Sequence, residues 1–438
     1  MKLSLAISAL LALVLESARA EPTPDAASVA TQIGHAVVFE DVVKAVSRSR
    51  SREGYYLSFG AAYPEQVLSV WVPKDVYHRL PGAYELHERA VRISGRIESS
   101  PTGPMLNLES PEQFALVALD TAVLSQLRLD GKIDRQHFAA AVLQDFERED
   151  FAKLEQLSTE LHQSRERFSD GTWILDAFFL AFDLPADVSS ERYDWMSQAV
   201  DRWTGRYPNS VSAALVKAGL QVDRAWKGRG TGWVRTITPE GREDFRRELA
   251  LARQLLESKA WAKASPRYFV LMQSVALGQA WPKQEYFRLF EEGVGRERDY
   301  YALYFSAAYY LLPRWYGEKG DWERFAEGER KKRGGPEGDA LYTRIAWSIA
   351  PVYDRTFFKE TAASWDTMAA GFDVLLRKYP DSAYLQNACT HFAWRAGDRT
   401  RLRAGLEQIK AAPDMSVWVN LENVQLAEKF ARGELRAK

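Results

Sequence analysis

The sequence predicts a multidomain chain: a small all-β barrel followed by a large all-α domain of irregular helical pairs. Three observations predict it. Between residues 31 and 120, apolar and polar side chains alternate with a period of two, as in strands with one buried face. From about residue 137 to 435 the period lengthens to 3.6 and the strand pattern disappears. Helix-starting pairs such as Thr238-Pro239 and Ser265-Pro266 punctuate that second stretch.

A chain of 438 residues has room for more than one core, and its 46% hydrophobic and 27% charged residues suit globular domains. The formal net charge of −1 gives no overall field to attract a polyanion. Aromatic residues reach 12%, a density that suits helix–helix packing. Cys389 is the single cysteine, so no intrachain disulfide supports the fold. Its apolar helical surroundings predict a buried small residue.

The amino terminus reads as a secretory signal peptide. Lys2 supplies a positive start, Leu3 to Leu15 an apolar run, and Ala18-Arg19-Ala20 a small-residue cleavage site. Cleavage is expected after Ala20, followed by a polar linker over 21–30 that contains Pro22 and Pro24. The apolar run is too short to cross a bilayer, and no later segment has the length of a membrane span. Export to the periplasm or the medium is therefore expected.

The barrel elements follow in order. Ala36 to Val46 reads as one long bent strand and Gly54 to Gly60 as the next. Val70-Trp71-Val72 forms a third, closed by Pro73, and a short helical insertion is expected near 74–80. Val91, Ile93 and Ile97 alternate with Arg92, Ser94 and Arg96 in a fourth strand, with Gly95 marking a bulge or sharp bend. Met105 to Leu108 is the fifth, ended by Ser110-Pro111. Five strands with a helical insertion before the fourth resemble the OB-fold barrel.

A connecting segment over 121–136 leads to the helices. Asp134 is placed as the acidic cap of the first, and Phe151, Leu154, Leu157 and Leu161 mark the stripe of the second. Later helices are expected near 283–293, 297–312, 321–332, 337–350, 359–378, 382–396, 398–411 and 416–432. An internal echo links two of the pairs. Tyr193-Asp194-Trp195-Met196 through Tyr207-Pro208-Asn209-Ser210 matches Trp365-Asp366-Thr367-Met368 through Tyr379-Pro380-Asp381-Ser382 at a constant offset of 172 residues. In each copy a helix ends at Tyr-Pro and Ser caps the next, a junction also found in tetratricopeptide-like repeats.

Four motifs in order resemble the exported helical proteins grouped as domain-of-unknown-function family 4034. They are Gly171 to Phe179, Ala225 to Trp233, Leu311 to Gly317, and Tyr379-Pro380-Asp381-Ser382. The resemblance spans most of 140–410 and implies a helical fold and export, but no assigned chemistry.

Three candidate sites emerge. Arg48, Arg50 and Arg52 precede Tyr55, Phe59 and Trp71, and guanidinium groups beside rings suit a nucleic acid or a glycan on an OB-type face. Lys227, Arg229, Gly230, Gly232 and Arg235 form a Gly-rich basic stretch suited to an anion-binding backbone nest; the Gly-Lys-Ser/Thr of a P-loop is missing. Arg314 and Trp315 sit in an aromatic turn that either holds a ligand or pins two helices. The six histidines lack metal-ligand spacing, and no cofactor or nucleophile motif appears. The expectation is an exported, non-enzymatic binding or scaffold protein presenting its helices to a protein or peptide. The alternatives are a nucleic-acid or glycan binder acting through the barrel, and an enzyme with a site at the barrel–helix interface.

Overall fold

The computed structural model describes residues 24–49, 52–80, 86, 89–117, 129–184, 188–229, 239–409, 413–419 and 421–435. The segment read as a signal peptide, 1–20, and residues 21–23 of the expected linker lie outside them, while a short helix, Ala26–Ala30, occupies the linker's end. The chain forms two units, 1–117 and 118–438.

The first unit is a barrel. A short helix α1 (Ala26–Ala30) is capped by Asp25, which accepts from the Ser28 amide. Strands β1 (Ala36–Arg48), β2 (Gly54–Phe59), β3 (Leu68–Pro73), β4 (Ala90–Ser100) and β5 (Gly103–Asn107) follow, with helix α2 (Lys74–Tyr77) after β3. The long β1 serves two neighbours. Its residues 36–42 pair antiparallel with β4, and 43–48 pair with β2 past an irregularity between Val43 and Ala45. That irregularity is the bend read from the sequence. A parallel β3–β5 pairing and an antiparallel β4–β5 pairing close the order β1-β2-β3-β5-β4 into an OB-like five-stranded barrel. A short β6 (Phe114–Leu116), which the sequence reading lacks, adds to β4.

Alternation fills the barrel. Phe39, Val43, Leu57, Phe59, Val70, Val72, Ile93, Ile97 and Leu106 are all fully buried. Gly95 lies where β4 passes from pairing with β1 to pairing with β5, and a Cβ there would sit 2.9 Å from the Leu106 side chain, which would have to shift.

The second unit is helical. Helix α3 (Gly131–Glu147) begins four residues earlier than expected: Asp130 occupies the cap position, and Asp134 instead accepts from the Asp130 amide, 2.7 Å. Next come α4 (Phe151–Ser164), α5 (Ile174–Leu180), α6 (Ser190–Arg206), α7 (Val211–Arg229), α8 (Pro239–Ser258), α9 (Pro266–Gly278), α10 (Lys283–Arg296) and α11 (Ala302–Tyr310). The remainder are α12 (Asp321–Arg333), α13 (Gly335–Tyr353), α14 (Phe357–Glu360), α15 (Trp365–Lys378), α16 (Ala383–Ala396), α17 (Arg399–Gln408), α18 (Met415–Trp418) and α19 (Leu421–Arg432). Ser265 caps α9 and Pro266 opens it, as the sequence predicts. Two expected helices are each split. Ser364 caps α15 by accepting from Thr367, which separates it from α14. Val419, at φ +70°, separates α18 from α19. Among the described residues no helix is long and apolar enough to cross a membrane.

The echo in the sequence is an echo in hydrogen bonds. The Tyr207 amide donates to Trp203 and the Tyr379 amide to Leu375, each at 2.8 Å. Ser210 accepts from the Ala213 amide at 3.0 Å, and Ser382 from the Leu385 amide at 3.1 Å. Every partner in the second junction lies at the same offset from its counterpart in the first. Tyr-Pro ends a helix because proline cannot continue the ladder, and Ser restarts one by satisfying a free amide.

Candidate functional site

Two of the sequence's site-like segments meet in the helical unit. Asp223, Trp226 and Lys227 are spaced so that one face of α7 carries all three. Facing them are Gln273, Ser274 and Leu277 of α9, Tyr286 of α10, and Phe305, Ser306 and Tyr309 of α11. Arg314 and Trp315 arrive from the turn after α11, and Tyr193, Leu184, Val188, Ser348 and Ile349 complete the wall. Together they enclose a cavity of about 800 Å³, the size of a small-molecule or short-peptide pocket.

Ring packing fixes the walls. Trp226 meets Trp315 edge to face at 5.6 Å, and its indole N–H donates to the Ser274 hydroxyl, 3.1 Å. Tyr286 stacks on Tyr310 at 3.8 Å and donates its hydroxyl to the Ser306 carbonyl, 3.0 Å. The Arg314 guanidinium lies over both Tyr309 and Trp315, 5.7 and 5.6 Å from their ring centres. Gly317 holds this turn: an added Cβ would overlap the Leu311 carbonyl oxygen.

Charges in the cavity are arranged unevenly. Lys227 donates its ammonium to the Val188 carbonyl. Arg224 lies over the Tyr193 ring and faces Glu248 at 3.7 Å. Asp223 accepts from the Leu184 amide at 3.2 Å. Burial first, and then the neighbouring Asp183 carboxylate, push the Asp223 carboxyl up to about 7, while Arg267, which pairs with Asp183 at 2.7 Å, partly offsets them. Nearby Asp176 is pushed up to about 6 by burial, against the Tyr300 hydroxyl and Arg267.

A carboxyl whose folded pKa exceeds its unfolded value near 4 holds its proton longer in the folded state. The unfolded chain then gains by ionising first, so these two groups make stability fall as pH rises from about 4 to about 7. Asp223→Asn is expected to flatten that slope and to raise the melting temperature at pH 8 more than at pH 5. Thermal unfolding across that range checks it; an unchanged slope would contradict it.

The other expected site residues are dispersed. Arg229 ends α7, and Gly230, Gly232 and Arg235 lie outside the described residues, as does Arg50. In the barrel, the expected six-residue face divides by strand parity. Phe59 is fully buried against Phe39 at 5.2 Å, and Tyr55 stacks on Tyr77 at 3.9 Å, both on the inner side. Trp71 points the other way, against Tyr56 at 4.8 Å and under Arg52 at 5.4 Å, while Arg48 is exposed at the end of β1. Cys389 is buried beside Arg401, and burial pushes its thiol up to about 11, far from a reactive thiolate.

Sequence reasoning missed Asp223, Gln273, Ser306 and Tyr309. A signal for one of them existed: Gln273 interrupts the apolar run from Phe269 to Leu277, and a polar residue inside an apolar helix needs a reason. Comparison of the chain with protein-family models, with curated proteins and with solved structures finds no match.

Proposed function

We propose that this chain is an exported, non-enzymatic binding protein, of the kind grouped as family 4034, whose helical unit takes a ligand between α7, α9 and α11. The observation that carries the reading is the convergence of Lys227 with Arg314 and Trp315 around one aromatic-walled cavity. These segments stand almost ninety residues apart in the chain. Aromatic walls with a few convergent polar groups are what a ligand pocket requires. A short peptide, free or as part of a protein partner, is the ligand class favoured. The amino-terminal signal segment supports export.

The test is binding of small peptides and aromatic molecules to the whole chain and to Ser306→Phe. Ser306 lines the cavity, and a phenyl ring there occupies it. Binding present in the first and lost in a folded second supports the reading; binding indifferent to the substitution sinks it.

A second reading, catalysis in the same pocket, draws on Asp223. A carboxyl pushed up to about 7 is tuned for general acid–base work at neutral pH. Turnover abolished by Asp223→Asn with ligand affinity retained would favour it. Nucleic-acid or glycan binding through the barrel has narrower support: of its six expected residues, Arg52 and Trp71 meet on one face.

A further inference from the structure

We propose that the helical pocket takes a short zwitterionic peptide, its ammonium held by Asp223 and Gln273 and its carboxylate by Lys227 and Arg314. This rests on the binding reading above and names the ligand class.

The argument starts from the hydrogen-bond groups left over. Gln273 is 1% exposed and lines the cavity; its amide N–H donates to the Leu303 carbonyl at 3.2 Å, while its Oε1 has no partner. A buried acceptor without a donor costs about 1–3 kcal/mol, so a donor from a ligand recovers that cost. Three of the wall's hydroxyl donors are already committed elsewhere. Tyr193 donates to the Leu220 carbonyl, Tyr286 to the Ser306 carbonyl and Ser348 to the Ile345 carbonyl. The interior at Gln273 and Asp223 therefore accepts hydrogen bonds, and a ligand ammonium supplies three donors.

The cations require the opposite charge. Arg224 is matched by Glu248. Among the described residues, neither Lys227 nor Arg314 makes an ion pair within 4.0 Å, although both line the cavity and the Glu191 carboxylate lies within electrostatic reach of Lys227. The Lys227 ammonium keeps two N–H donors beyond its bond to Val188. A ligand that was only cationic would desolvate these two groups without pairing them, and one that was only anionic would do the same to Asp223.

Spacing fits the same class. Asp223 and Lys227 are four residues apart on α7, which sets their Cβ atoms about 6 Å apart. Two extended residues span about 7 Å. The termini of a dipeptide are thus spaced on the same scale as these two positions, with Trp226, Trp315 and Tyr309 lining the same cavity for its side chains. The 800 Å³ cavity leaves room for a third residue.

The experiment is isothermal titration of the whole chain with the dipeptide Phe-Leu, its N-acetyl form and its C-terminal amide. The wild-type chain is expected to bind the free dipeptide at least about tenfold more tightly than either blocked form, the range for losing one charge-assisted hydrogen bond. In Lys227→Ala the preference for the free acid over the amide collapses. In Asp223→Asn the preference for the free amine over the acetyl form collapses. Blocked and free forms binding alike, or preferences that survive both substitutions, would overturn the proposal. So would absence of dipeptide binding; if other molecules still bind in a manner sensitive to Ser306→Phe, the pocket reading stands and only the ligand class fails.

Discussion

Asp170→Ala is expected to destabilise the helical unit by about 3–5 kcal/mol, the cost of leaving buried cations without their partner. Asp170 is 1% exposed and pairs with the Arg135 side chain of α3. Its other oxygen accepts from the Thr172 amide at 2.9 Å and hydroxyl at 2.6 Å. Arg344 of α13 donates to the Asp170 carbonyl at 2.5 Å and lies 4.6 Å over the Tyr301 ring. Arg135 also faces the Tyr384 ring of α16 at 5.1 Å. The carboxylate therefore ties α3 to the segment before α5, while the Asp170 main-chain carbonyl brings in α13 and Arg135 reaches α16. Burial pushes its pKa up, but Arg135 and Arg344 outweigh that and hold it below the usual carboxylate range. Its contribution is present at neutral pH and is lost only as pH falls through that lowered value. Denaturant unfolding at pH 7 measures the effect; a loss under about 1 kcal/mol would show that the network carries little of the stability.

Gly317→Ala is expected to remove ligand binding by at least about tenfold and to cost about 2–3 kcal/mol of stability, as backbone displacement in a packed turn does. The added methyl overlaps the Leu311 carbonyl oxygen, so the turn from Leu312 to Gly320 has to move. Arg314 and Trp315 ride on that turn, and Tyr316 ties it to α9 through the Leu277 carbonyl, 3.0 Å. Gly295→Ala is the control, because nothing lies within 4 Å of its Cβ on α10 and alanine suits a helix better. The control should leave affinity unchanged and gain up to about 1 kcal/mol. Equal affinities for the two variants would contradict the role assigned to the turn.

The sequence carries the barrel because period-two strands and their punctuation are local. Pro73 ends β3, and Gly95 stands next to the point where β4 changes partner from β1 to β5. It does not carry the parallel β3–β5 pairing, which depends on strands far apart in the chain finding each other. The Tyr-Pro-x-Ser junctions are legible because each cap is made within a few residues. The split between α14 and α15 is equally local, yet a continuous apolar stripe masks the Ser364 cap. The site is legible only in pieces. Lys227 and the Arg314-Trp315 turn stand out singly, since cations beside rings and glycines are unusual, but nothing local says that α7 and that turn face each other. Tyr55 and Phe59 show the converse error. Their aromatic character suggests a ligand face, while their parity with Leu57 assigns them to the barrel interior.

The central claim is that the cavity between α7, α9 and α11 is where this chain binds. Its most direct measurement is ligand-observed NMR with the Phe-Leu dipeptide and a panel of small aromatic molecules, run on the wild-type chain and on Ser306→Phe. Matched circular dichroism spectra establish that both are folded. The account predicts binding signals in the wild type that vanish when the phenyl ring fills the cavity. The same signals from both chains would contradict it, because the ligand would then be bound elsewhere.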